Sequence, residues 1–81
     1  MTTTIRFRVQ KDIDAFTARK ILKLKGSLIA QSFTDIIHFE DDGEAFYIHY
    51  FTIASEKQHE ATAFISAAIT EEVLTDIVSI I

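Results

Sequence analysis

Between Thr34 and Ile53 the chain carries two runs rich in β-branched and aromatic residues, separated by an acidic turn ending in Asp42-Gly43. An Asp-Gly pair so flanked is a strong hairpin signal, because both central residues of a type I′ turn need positive φ. Taking Asp42-Gly43 as a two-residue loop sets the pairing by counting outward: Phe39 opposite Phe46, Ile37 opposite Ile48, His38 opposite Tyr47 and Ile36 opposite His49. Side chains alternate across a strand. One face of the predicted hairpin then holds Ile37, Phe39, Phe46 and Ile48, and the other Ile36, His38, Tyr47, His49 and Phe51. Both faces are adhesive, and the helices of a small domain cover only one.

The flanking segments supply those helices. Ile5, Phe7 and Val9 alternate with Arg6, Arg8 and Gln10, the period of a strand with one wet face. Asp12 or Asp14 can cap a helix in which Ile13, Phe16, Thr17, Ile21 and Leu24 recur at helical spacing, with Gly26 placed as its C-terminal glycine. From Ser27 to Glu40 no breaker interrupts the apolar residues, which predicts a long second strand bent near Gln31-Ser32. The third strand, Ala45 to Ile53, leads into Ser55-Glu-Lys-Gln58, the pattern of a capping box opening an alanine-rich helix. The β-branched stretch from Ile77 to Ile81 favours a final strand, the alternative being a helical C-terminus.

The order strand, helix, strand, strand, helix, strand predicts one small α+β domain over residues 1–81, a ferredoxin-like βαββαβ plait with one antiparallel sheet and both helices on one face. The alternative is βαββα with a three-stranded sheet. In the plait the open face would collect Arg6, Arg8, Ile36, His38, Tyr47, His49 and Phe51.

Composition narrows what such a face can serve. With 81 residues and no cysteine, the chain has no disulfide framework and no thiolate chemistry, consistent with a reducing cytoplasm. Its N-terminus lacks the apolar core of a secretory signal and no stretch has the length of a membrane span, so a cytoplasmic protein with no membrane contact is expected. Net charge is −4, yet seven of eight basic residues fall in the first 25 positions, leaving about +5 there and −9 beyond. That asymmetry suits a basic first helix beside an acidic second one. It also makes Arg19, Lys20 and Lys23 a secondary docking surface for an acidic partner.

Three uses of the open face compete. Nucleic acid could stack on Tyr47 and Phe51 beside Arg6 and Arg8, as on sheets of the RNA-recognition kind, but Gly43 to Tyr50 lacks that motif's basic residue before the glycine and carries Glu44 where an aromatic belongs. Ten acidic residues after Gly26 further oppose a phosphate backbone. A metal could be shared by His38 and His49 with Glu40, but no fourth ligand or second cluster completes a site. No cofactor or metal is expected. Association fits best, by sheet stacking or by edge pairing of the second or fourth strand, since an aromatic patch of this size on a small domain marks an interface.

Catalysis has no foothold. Two glycines make no phosphate loop, and neither G-x-S-x-G nor H-E-x-x-H occurs. Asp41, Asp42 and Glu44 gather only at the predicted hairpin tip, without the spacing of an EF-hand. The chain has no asparagine, which small plait enzymes of the acylphosphatase kind require. Its length and element order resemble regulatory ligand-binding plaits of the ACT kind, but Gln10 to Asp14 replaces their glycine-rich turn and no ligand is implied. The expectation is a non-enzymatic regulatory or protein-interaction module, homodimeric or docked on a larger protein. A single-stranded nucleic-acid binder using the same face is the alternative.

Overall fold

The apolar residues of the first strand, Ile5, Phe7 and Val9, are all buried, while Arg6 between them is exposed. The computed structural model describes residues 1–81 and places this strand, β1 (Thr2–Gln10), at the centre of a sheet. Helix α1 (Ala15–Ala30) follows, then strands β2 (His38–Asp42) and β3 (Phe46–Ala54), helix α2 (Gln58–Glu71) and the short strand β4 (Val78–Ile80). The strands lie in the order β2-β3-β1-β4, every neighbouring pair antiparallel. Thus β1-α1-β2 and β3-α2-β4 interleave, each placing one strand of the other half between its own two. The fold is α+β, and its C-terminal segment is a strand, not a continuation of α2.

Ile21, Leu24 and Leu28 of α1 join Ala61, Ile65 and Ile69 of α2 in a single core with Ile5, Phe7, Val9, Phe51 and Ile53. Both helices therefore cover the same sheet face. The opposite face is left without a helix.

Helix α1 begins where the sequence places it, with the Asp14 carboxylate accepting the Thr17 N–H at 2.7 Å. Its end differs from the expectation. The helix passes through Gly26 and runs to Ala30, because the stripe of Ile21 and Leu24 continues at Leu28. The bend expected near Gln31-Ser32 is this helix terminus, not a kink within a strand. Ser32 adopts φ 64°, and the N–H groups of Ser32 and Phe33 donate to the carbonyls of Ile29 and Leu28 at 3.0 and 3.1 Å. That is a Schellman ending with serine in the position glycine usually fills, closed by contact of the buried Phe33 with the core.

Helix α2 ends the same way. Val73 has φ 58°, and the N–H groups of Val73 and Leu74 donate to the carbonyls of Thr70 and Ile69 at 3.3 and 2.8 Å. Its start also departs from the sequence reading. Ser55–Lys57 form one turn of 3₁₀ helix, and no side chain caps α2, so the expected capping box from Ser55 to Gln58 does not form.

Candidate functional site

The hairpin register decides which side chains meet solvent. Strands β2 and β3 pair with Asp42 opposite Phe46, so the loop is Gly43-Glu44-Ala45, with the positive φ of 74° at Gly43. Lys11 holds this loop: its backbone N–H donates to the Ala45 carbonyl at 2.9 Å, and its ammonium reaches Gly43 O at 3.0 Å and Asp41 at 2.8 Å. The added loop residue changes the pairing by an odd number of positions, and an odd slip exchanges faces along one strand relative to the other. His38 consequently faces Tyr50, not Tyr47, and Phe39 faces His49, not Phe46.

The expected open face is corrected accordingly. Tyr47, His49 and Phe51 lie on the helix-covered side with Val9, Phe7 and Ile5, their partners across β1. Phe51 is fully buried and His49 is 6% exposed, so neither can serve as an interface residue in the folded chain. Arg6, Arg8 and His38 are on the open face as expected. Ile36 is exposed but precedes β2, in a shallow hollow with Thr2 and Thr52. The residues that sequence reasoning placed inward, Phe46 and Ile48, project outward instead, joined by Tyr50. A signal for this parity was present at the far end of the strand. In Phe51-Thr52-Ile53 the polar residue stands between two apolar ones, which turns Thr52 outward and the flanking pair inward.

The open face is arranged in three strips. The central β3 presents Phe46, Ile48 and Tyr50, all half-buried. On one side β1 presents Arg6 and Arg8; on the other β2 presents His38, Glu40 and Asp42. Arg8 crosses the aromatic strip, with its guanidinium 5.3 Å from the Phe46 ring centroid and its Nε donating to Asp42 at 2.8 Å. The His38 ring stacks on Tyr50 at 5.2 Å. Arg6 and Glu40 have no ionic partner within the chain.

On the covered side, Phe7, His49 and Phe39 stand in one row across β1, β3 and β2. The imidazole is sandwiched, 5.2 Å from the Phe7 ring and 5.6 Å from Phe39. Burial, assisted by the nearby Lys25 ammonium, pushes the His49 pKa down to about 4, and its Nδ1 is buried without a hydrogen-bond partner. His38 and His49 project from opposite faces of the sheet, so they cannot share a metal ion. No cluster of three or more His, Asp or Glu side chains gathers elsewhere.

Of the three basic residues expected to form a second docking surface, only Arg19 has no partner within the chain. Lys20 donates to the Glu72 carbonyl at 2.8 Å, with its ammonium 4.8 Å from the Phe16 ring, and Lys23 pairs with the Glu72 carboxylate at 3.1 Å. Part of the charge asymmetry is thus satisfied internally, between α1 and the end of α2. No helix is long and apolar enough to cross a membrane. No protein-family model matches the chain, and no curated protein or solved structure matches it either.

Proposed function

We propose that the chain is a non-enzymatic association module that pairs with a second copy of itself through the uncovered sheet face. The observation that carries this reading is the order of the three strips, basic β1, aromatic β3 and acidic β2. Stack two such faces about a two-fold axis lying along β3. Each basic strand then covers the acidic strand of the other copy, and every row keeps its level. Arg8 shares a row with Ile48 and Glu40, so it meets Glu40 of the second copy, while Phe46, Ile48 and Tyr50 bury one another. The interface is self-complementary, as a two-fold requires. Edge pairing is less favourable, because β2 presents three consecutive acids, Glu40, Asp41 and Asp42, and β4 spans only three residues.

The reading is tested by light scattering across concentration. A dimer is expected for the wild type and a monomer with unchanged circular dichroism for Ile48→Glu combined with Tyr50→Glu. A wild type that stays monomeric at high concentration overturns self-pairing. Salt-sensitive oligonucleotide binding by that monomer, lost on Arg6→Ala with Arg8→Ala, would put a nucleic-acid partner in its place.

A further inference from the structure

The three levels of the open face are not equivalent. Read across β1, β3 and β2, they are Gln10-Phe46-Asp42, Arg8-Ile48-Glu40 and Arg6-Tyr50-His38. At the last level a histidine replaces the carboxylate of the acidic strip, while the basic strip continues with Arg6. His38 is exposed, and its ring lies on Tyr50 with centroids 5.2 Å apart and planes inclined by 25°.

Within one chain the groups facing this imidazole come from three strands. Glu40 stands two positions along β2 on the same face and has no ionic partner. The Tyr50 phenol is the neighbour on β3, and Arg6, also unpaired, lies beyond it on β1 in the same row. The helices pack on the other face, so none of their charges meets the ring. The remaining histidines are elsewhere: His49 belongs to the covered face and His59 to α2.

We propose, resting on the self-pairing reading above, that this level makes the assembly pH-sensitive: protonated His38 is set against Arg6 of the second copy, and the two copies separate. The two-fold axis along β3 that brings Arg8 of the second copy over Glu40 also brings Arg6 of the second copy over His38. Three effects then act in one direction. The two cations repel, and stacking the faces removes the ring from the water that would solvate its charge. Arg8 of the second copy also takes up Glu40, the carboxylate nearest along β2. A neutral ring, by contrast, accepts a guanidinium N–H on its unprotonated nitrogen. The separated chains therefore bind more protons than the dimer, so association weakens as pH falls through the range in which histidine gains its charge. Each dimer contains two such contacts, and the effect enters twice.

Sedimentation equilibrium at fixed ionic strength, between about pH 7.5 and about pH 5.8, is the test, with circular dichroism at each pH to follow the fold. The dissociation constant of the wild-type dimer is expected to rise at least about tenfold across that range. His38→Gln removes the titrating group and Arg6→Gln removes the opposing charge. In each variant, compared with itself across pH, the rise should shrink to about threefold or less; should one variant not dimerise, the other decides. A wild-type dimer whose dissociation constant stays level or falls in acid overturns the switch and leaves self-pairing standing. A wild type that is monomeric at about pH 7.5 overturns self-pairing and the switch together. A rise that persists undiminished in either variant also overturns the proposal, because the proton then acts at another site.

Discussion

The His49 imidazole lies flat on the Phe7 ring, with centroids 5.2 Å apart and planes inclined by 7°. This stack ties the titration of His49 to stability. The unfolded chain takes up the proton near pH 6.5, whereas the folded chain does so only near 4. Between those values the unfolded state binds more protons, so stability is complete above 6.5 and falls as pH drops toward 4. At about 1.4 kcal/mol per unit, the loss reaches at most about 3–4 kcal/mol. Lys25 on α1 is the charged group that acts on the ring, and the Tyr47 ring stands 6.4 Å from it on β3. The urea midpoint should fall between pH 7.5 and 5, and the fall should shrink markedly in His49→Leu. Asp14 acts in a lower window: hydrogen bonding from Thr17 holds its carboxyl below the ordinary 3.8, so its contribution persists above that pH and is lost in stronger acid.

The inverted hairpin register predicts unequal consequences for two phenylalanines on the same strand. Phe51 is fully buried, and Phe51→Ala should destabilise by about 3–5 kcal/mol. Phe46 stands half-buried on the open face under Arg8, and Phe46→Ala should cost about 1 kcal/mol or less. Denaturant unfolding of the two variants measures the difference. The opposite ranking would contradict the face assignment of β3.

Helix-end geometry predicts stabilising substitutions. Val73 holds a left-handed conformation that a β-branched residue adopts only under strain, and it is 77% exposed, so it gains little from burial. Val73→Gly should raise stability by about 1 kcal/mol, while Val73→Ala should not. At Gly26, inside α1, a Cβ would meet nothing within 4 Å, and Gly26→Ala should also add about 1 kcal/mol. Thermal midpoints of the single variants decide both points.

A charge exchange tests the orientation of the proposed pair. Arg8→Glu alone and Glu40→Lys alone should each weaken dimerisation, and the double variant should recover part of the loss. Sedimentation equilibrium at two salt concentrations is the measurement, with all differences shrinking at high salt. No recovery in the double variant would exclude an axis along β3.

Local chemistry made the elements legible where one signal dominated. The alternation of Ile5, Phe7 and Val9 set β1, and Asp14 marked the start of α1. The errors arose where two signals competed. Gly26 reads as a stop, but the burial of Leu28 outweighs the roughly 1 kcal/mol penalty of an exposed glycine, and the true stop uses a serine that no propensity favours there. In the hairpin, Asp42-Gly43 suggested the shorter loop. Pairing with β1 already turns Phe51 and Ile53 inward, and the longer loop is the one that brings Phe39 of β2 to that same side, opposite His49. Loop length is a local choice of small energy, whereas strand parity is set by the whole core.

Strand β1 pairs with β3 on one side and with β4 on the other, so both of its neighbours come later in the sequence. During synthesis its apolar residues leave the ribosome without either lateral partner. The four-stranded sheet is complete only once Val78–Ile80 have emerged, so every pairing of β1 joins segments far apart in the sequence, the kind of contact that forms slowly.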